Sequence, residues 1–382
     1  MEKVTQMGLD CHKKFSTVTA RDAAGRVAFR TRLEHADRAG MRAQIRDWPR
    51  GVPVVLEGTF GWGWMSDELA ACGVEPHLTS GSKTKAWRIA RGKAKSNRLD
   101  ADLLSELWSQ QPRWWEVWLA PPEVRQQREW MRHRMGLVQM QTKVKNRMQA
   151  TLHRHGILHP YSDLFGKAGR AFLAELAAGA DATLPSSARH SLRDNLQLLE
   201  LLRRQLAQLT REVRSQVRSS PAAQIWDSLP GIGWILAHTI QAEIGDLRRF
   251  RHAQDLASYS LLAPRSRDSG EEDPDEVPLG RHVGRVGRRT LKWAFIQAAH
   301  SAIRKSRRMR ELFDRRTQGG KRDKNRGYIT VAHALCTVGF ACARQERCFS
   351  ETPPVRPGRV PRRADSRPEA GGPDVAMAAA AP

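Results

Sequence analysis

Gly8-Leu9-Asp10-Cys11-His12-Lys13 ends the chain's first apolar run on an aspartate, and Val54-Val55-Leu56-Glu57-Gly58 ends a later run on a glutamate. If the two runs are neighbouring strands, both carboxylates converge at one sheet edge. A hard divalent cation such as Mg²⁺ takes that oxygen chemistry, usually one or two carboxylates plus phosphate oxygens. Two such ions about 3.5 to 4 Å apart polarise a scissile phosphate. Further acids lie in Lys95-Ser96-Asn97-Arg98-Leu99-Asp100-Ala101-Asp102. With Asp100 opening a helix, Leu103, Leu104 and Leu107 form its apolar face and Asp100 projects toward the sheet. Each acid alone fits a solvated cap or surface charge. Three in this topology favour the metal.

A second chemistry is written near the other end. Ala263-Pro264-Arg265-Ser266-Arg267-Asp268-Ser269-Gly270 is followed by an acidic stretch and by Gly280-Arg281-His282-Val283-Gly284-Arg285-Val286-Gly287-Arg288-Arg289. A serine in a Gly- and Arg-rich loop suits attack on phosphate, because arginines neutralise the developing charge. Ser269 by itself also fits an exposed loop hydroxyl, since no His or Asp at fixed spacing marks a triad partner.

The elements that must position these groups follow from periodicity. Val4 to Cys11, Phe15 to Ala20, and a run with Val27, Phe29, Thr31 and Leu33 on one face make a three-strand meander. Met41, Ile45 and Trp48 mark a short helix before the buried strand Val52 to Leu56. A helix with Met65 and Leu69 then leads to the run Val74 to Leu78. The order β-β-β-α-β-α-β predicts a ribonuclease-H-like sheet. After Pro121-Pro122 a long helix is expected over Glu123 to His155, and a second from Ser187 to about Val213. In the latter, Leu192, Leu199, Leu206 and Val213 share one heptad position and Asn195, Leu202 and Leu209 the other. A helical hairpin, a coiled-coil dimer contact and a bundle core helix all satisfy that pattern.

From Ile225 the chain is again compact in pattern. Leu229-Pro230-Gly231-Ile232-Gly233 before the apolar helix Trp234 to Ile244 has the form of a helix-hairpin-helix, in which Gly231 and Gly233 let backbone N–H groups approach a phosphate. A plain tight turn would use the same residues. Arg304 to Arg326 holds 11 basic residues, among them Arg315, Arg316, Lys321 and Arg322, against three acids. That density suits a phosphate-tracking surface whose affinity falls steeply with salt. Glu351 to Pro382 is rich in proline and lacks periodic apolar residues, the composition of a disordered tail.

Composition agrees with a nucleic-acid role. Sixty-four basic against 40 acidic side chains leave +24 over 382 residues, with a pI near 10.8, so a polyanionic partner is favoured over a small-molecule metabolic role. The longest apolar run, Val331 to Ala343, is far short of the roughly 20 residues of a spanning helix, and the basic residues are not on one long amphipathic helix. No membrane association is expected. Five cysteines without a Cys-x-x-Cys pair argue against both a disulfide framework and a zinc knuckle. With no secretory signal pattern before Asp10, a cytoplasmic setting is expected.

In this order the motifs resemble the IS110 family of insertion-sequence transposases, the bridge-RNA-guided recombinases. Gly8 to Lys13 is similar to that family's Gly-Leu-Asp-x-His-Lys, Leu56-Glu57 with Gly58 and Gly61 to its Glu motif, and Lys95 to Ala101 to its Lys-Thr-Asp-x-x-Asp-Ala. The likeness continues through Leu229 to Gly233, Ser269-Gly270, and Gly287-Arg288-Arg289-Thr290-Leu291-Lys292 up to Ala298-Ala299.

The resemblance implies a RuvC-like domain over 1–118 with an Asp-Glu-Asp-Asp site for Mg²⁺. A helical, coiled-coil region over 119–222 would mediate assembly into a dimer or tetramer. A mostly helical transposase domain over 223–348 would follow, then a tail over 349–382. By the same carry-over Asp10, Glu57 and Asp100 are metal-site carboxylates and Ser269 forms a covalent phosphoserine with a DNA end. Gly231, Gly233, Arg281, Arg285, Arg288, Arg289, Lys292, Arg315, Arg316, Lys321 and Arg322 are expected to meet nucleic acid. The implied partners are donor and target DNA and a structured guide (bridge) RNA, in a bacterial cytoplasm at the nucleoid.

One position departs from the family pattern. Its third acid falls on Asn97, so either Asp102 substitutes from one turn away, or metal binding is weaker, or this copy is catalytically impaired. The alternatives to a recombinase are a metal-dependent, junction-resolving nuclease that uses water, and a nucleic-acid-binding relic.

Overall fold

A computed structural model describes residues 4–92, 97–110, 112–180, 184–217, 220–265, 282–283 and 287–351. The strands β1 (Val4–Cys11), β2 (Phe15–Asp22) and β3 (Val27–Glu34) form the meander that alternation predicts. Helix α1 (Arg38–Arg46) leads to β4 (Pro53–Glu57), α2 (Trp62–Ala71) to β5 (Glu75–Thr79), and α3 (Gly81–Ala90) and α4 (Asn97–Leu107) to the two-residue β6 (Glu116–Val117). The sheet order is β3-β2-β1-β4-β5-β6, with β4 parallel to both β1 and β5 and the other pairs antiparallel. Met7, Leu9, Val54 and Leu56 bury one face of the sheet against Met41 and Ile45 of α1 and Met65 and Leu69 of α2. The other face receives α4, where Val55 packs with Leu104, Leu107 and Trp115.

Pro122 stands at the start of α5 (Pro122–Arg154), where its missing N–H costs nothing. After α6 (Lys167–Ala178) the helix α7 (Ser186–Val217) returns along α5. Arg134 donates to Thr210 at 3.2 Å and Arg147 to Asn195 at 3.4 Å, so the two helices are antiparallel. Of the three arrangements open to the heptads, the structure holds the hairpin. Leu192, Leu199, Leu202, Leu209 and Val213 turn onto Met131, Leu137, Val144 and Met148 of the same chain, because α5 carries the complementary apolar stripe. Leu198 and Leu201 are left partly exposed on the far side of α7.

The third region packs α8 (Pro221–Asp227), α9 (Trp234–Ile244), α10 (Ala253–Tyr259), α11 (Arg289–Lys305), α12 (Arg307–Thr317) and α13 (Lys324–Arg344) around one core. A short antiparallel pair, β7 (Pro264–Arg265) and β8 (His282–Val283), lies between α10 and α11. Expected boundaries at 348 and 349 fall short of the docked chain. Phe349 N–H donates to Ser228 Oγ at 2.8 Å, its ring packs on the core, and Glu351 accepts from Ser306 Oγ at 2.8 Å. The expected tail beyond Glu351 lies outside the described residues. Among the described residues no helix is long and apolar enough to cross a membrane.

One buried acid ties the second region to the third. Glu243, fully buried near the end of α9, takes both oxygens to Arg132 of α5 at 2.7 and 2.8 Å. Arg128, one turn earlier in α5, donates to the carbonyls of Ala242 and Glu243 at 2.8 and 2.9 Å and so satisfies the last carbonyls of α9. Burial pushes the Arg128 guanidinium down to about 10, still charged at neutral pH. Removing the acid would strand this positive charge in the interior. Glu243→Gln is expected to cost about 3 kcal/mol, read as a lowered urea midpoint, whereas substituting the exposed Glu212 should leave the midpoint unchanged.

Candidate active site

The register of the parallel pair fixes the first two carboxylates. Gly8 pairs with Val55 and Leu9 with Leu56, so the next step sets Asp10 beside Glu57 at adjacent strand ends. Because side chains alternate along a strand, Asp10 and Glu57 share the face opposite Leu9 and Leu56, which is the face under α4.

Gly8 makes that placement possible. A Cβ there would lie 2.2 Å from the backbone nitrogen of Ser105 and 2.4 Å from the carbonyl of Ala101, so only glycine lets α4 rest directly on β1. Gln6 Nε2 donates to the Ser105 carbonyl at 2.9 Å and Thr19, across from Gly8, donates to Asp102 at 2.7 Å. The helix therefore runs antiparallel to β1, and its first turn, from Asn97 to Asp100, lies over the strand end that carries Asp10. The helix begins at Asn97, three residues before the start expected at Asp100.

The three acids differ in company. Asp10 Oδ2 is 3.1 Å from His12 Nε2, and its side chain is 15 % exposed. The Glu57 carboxylate lies against the start of α3, 3.0 Å from where a Cβ on Gly81 would stand. Asp100 Oδ1 is 3.3 Å from Arg88 Nη1 of α3, and its side chain is 16 % exposed. Among the described residues no three His, Cys, Asp or Glu side chains stand close enough to hold a metal ion together. The donor set nevertheless suits a hard divalent cation: carboxylate oxygens on adjacent strand ends, with a third carboxylate in the helix above. For Asp100 to join such a set, its carboxylate would have to leave Arg88. The Asn97 side chain lies outside the described residues.

Asp102 has a different task. It accepts from Thr19 at 2.7 Å and, in bidentate fashion, from Arg30 of β3 at 3.0 Å on each oxygen, with its side chain 10 % exposed. All of its strong acceptor capacity is turned toward β2 and β3, away from the Asp10 and Glu57 edge.

In the C-terminal region Ser269, Arg281 and Arg285 lie outside the described residues. The β7–β8 pair joins the two ends of the segment that contains Ser269. Arg288 is engaged at its base, donating through Nε to the Tyr259 hydroxyl at 2.7 Å and through its backbone N–H to the Tyr259 carbonyl at 2.9 Å. Arg289 is exposed and Lys292 half-buried. Of the loop glycines, Gly231 has φ +82° and faces α11 so closely that a Cβ would lie 2.3 Å from the Ala298 carbonyl; it serves helix packing. Gly233, at the start of α9, has open space around it. Arg315, Arg316, Lys321 and Arg322 are all exposed, as are the other seven basic side chains between Arg304 and Arg326.

Two contributors to this packing escaped the sequence. Arg88, the ion-pair partner of Asp100, is one, and no local signal marks it. The role of Gly8 is the other, although an isolated glycine inside an apolar strand is a sign of close backbone approach.

A family profile described as "Transposase IS116/IS110/IS902 family" matches residues 223–314, and a DEDD transposase profile matches residues 7–157. The "Probable family 20 transposase" of Pseudomonas aeruginosa is 26 % identical over 91 % of this chain and 98 % of its own length. The "Transposase for insertion sequence element IS1111A" of Coxiella burnetii is 24 % identical over 91 % of this chain and 92 % of its own. A "Pilin gene-inverting protein" of Moraxella bovis is 28 % identical over 38 % of this chain and 45 % of its own.

The separate task of Asp102 is testable. Burial alone would raise its pKa, but hydrogen bonds from Arg30 and Thr19, with the Arg30 and Arg21 charges, outweigh it and hold the carboxyl below its ordinary range. A folded-state pKa below the unfolded one gives stability that is present above the unfolded value and is lost as pH falls through the folded one. Asp102→Asn should therefore destabilise the protein by about 2 kcal/mol at neutral pH. In denaturant titrations the gap to the wild type should close below the ordinary aspartate pKa of about 3.9. A gap that stays constant to low pH would contradict this assignment.

Proposed function

The chain belongs to the IS116/IS110/IS902 family of transposases, enzymes that transfer DNA strands, and we propose that it cuts and rejoins donor and target DNA through a covalent phosphoserine at Ser269, with divalent-metal assistance and a structured RNA as guide. The observation that carries this reading is the pairing of Asp10 and Glu57 at adjacent parallel strand ends beneath the first turn of α4. The name of the Moraxella relative speaks of gene inversion, an outcome that also needs strands cut and rejoined.

In this mechanism Asp10, Glu57 and Asp100 would hold a divalent cation such as Mg²⁺, with Asn97 offering at most a neutral oxygen. When bound, the cation would supply Lewis-acid polarisation of the scissile phosphate. Ser269 Oγ attacks phosphorus, its proton leaves to base or solvent, and the Oγ–P bond forms as the P–O bond of the strand breaks. The departing strand oxygen takes up a proton. The second strand's hydroxyl then attacks the same phosphorus and releases the serine, so one phosphodiester is exchanged for another without a nucleotide energy source. Arg281, Arg285 and Arg289 are assigned to neutralise the phosphates around Ser269. Gly233 and Lys292 are assigned contacts to the backbone near α9 and α11.

The exposed face over α12, its following turn and the start of α13, with Arg315, Arg316, Lys321 and Arg322, is the proposed track for duplex or guide RNA. The sequence's +24 gives this partner set its electrostatic basis. Assembly into a dimer or tetramer and action at the bacterial nucleoid complete the reading.

Labelled donor DNA, Mg²⁺ and the purified protein with its guide RNA test the chemistry on a denaturing gel. Ser269→Ala should abolish the covalent protein–DNA adduct while RNA binding holds; an adduct that persists removes Ser269 from the mechanism. Free phosphate ends with no adduct in the wild type would point to the hydrolytic nuclease instead. Asn97→Asp is expected to lower the Mg²⁺ concentration needed for strand exchange, because a fourth carboxylate adds ligand charge.

A further inference from the structure

Four tryptophans gather beside α3 and α4 of the N-terminal region. Trp115, fully buried, anchors the group; Trp108 lies 6.3 Å from it, and Trp87 of α3 lies 6.1 Å from Trp114. Trp114 is the outermost of the four, 42 % exposed, although Phe60, Ile89, Met140 and Leu158 are more exposed still. Its half-open indole keeps a π-face available to a ligand.

Its neighbours indicate what that is. Arg91 places its guanidinium 4.9 Å from the Trp87 ring centroid, and Arg113 places its own 3.8 Å from that of Trp108. Arg91 also stands 3.7 Å from Glu106 and Arg113 3.8 Å from Glu116, yet both keep part of their donors in solvent, with side chains 48 % and 36 % exposed. Stacking holds these guanidiniums in place before any ligand arrives, so less rotamer freedom is lost when they meet a phosphate. An open indole flanked by pre-placed guanidiniums is the composition that holds single strands: bases stack on the ring while cations follow the backbone. A duplex offers phosphates but no free base faces to such a corner.

The location points to the same partner. Trp87 directly precedes Arg88, whose guanidinium reaches Asp100 at 3.3 Å, so the cluster adjoins the helix that overhangs Asp10 and Glu57. We propose that Trp114, backed by Trp87 and flanked by Arg91 and Arg113, is a stacking seat for an unpaired base of the DNA strand adjoining the carboxylate edge. This inference rests on the chain acting on DNA and not on Ser269 or on a bound cation.

The test is direct binding without divalent ions, so that failure of the phosphoserine chemistry leaves its outcome unaffected. The full-length protein is titrated into fluorescein-labelled oligo(dT), into a duplex of equal length and into oligo(U), by anisotropy. Trp114→Ala and Trp114→Leu should each weaken oligo(dT) binding about ten-fold, the loss of one stacked base. Trp114→Phe should recover most of the affinity, since a π-face is restored. Duplex affinity should hold in all three variants, and equal thermal midpoints would show that the fold is intact. Unchanged oligo(dT) affinity in Trp114→Ala, equal losses for duplex and single strand, failure of Trp114→Phe to recover, or a loss confined to oligo(U) would each overturn the proposal.

Discussion

Helix α4 rests on β1 with no side chain between the two backbones, and the geometry of the N-terminal half depends on that contact. Where a Cβ on Gly8 would stand, the Ser105 nitrogen is already 2.2 Å away. Any larger residue would lift the helix by about the thickness of a methyl group, and with it the turn that carries Asn97 and Asp100. The parallel ladder sets Asp10 beside Glu57. Gly8 then sets the height of the third acid above them, while Arg30 and Thr19 hold Asp102 and fix the rotation of the helix about its own axis.

The middle and C-terminal regions are joined by a different kind of contact. At Glu243 a buried carboxylate is shared by two arginines of α5, one of which also closes the end of α9. Beside it Gly245, with φ +68°, lies against Trp118, the residue that leaves the sheet after β6. Arg249 stacks between Trp118 and Tyr259, and Tyr259 receives Arg288 at the base of the serine segment. Three regions read separately along the chain thus meet in one polar and aromatic knot. A buried ion pair of this kind fixes which surfaces can meet more than it adds net stability.

What the sequence made legible was the part governed by local periodicity. Alternation in Val4 to Leu33 and the order of the later runs predict the observed strands, and the heptads of α7 pick out the residues that face α5. The two-residue β6 has no such signal, because a pair of residues cannot display a period. The start of α4 was read three residues late because an acid in the first helical turn is a common opening. Asp102 looked interchangeable with a metal ligand until its partners were known, and Arg30 stands 72 positions away in the chain. Gly231 fits a phosphate approach and a plain tight turn alike in the sequence; its close approach to α11 becomes visible only once the helices are packed.

The hairpin of α5 and α7 has a mechanical consequence. From Arg128, fixed at the Glu243 junction, to Arg154 at its far end, α5 runs unbroken for about 40 Å at 1.5 Å per residue. With α7 packed along it the pair bends little, so it acts as a strut. Whatever grips its tip is held a fixed distance from the junction, comparable to about twelve base pairs of duplex at roughly 3.4 Å each. The fold thus contains a ruler, and the separation it sets is a property of one helix length, independent of any contact chemistry at either end.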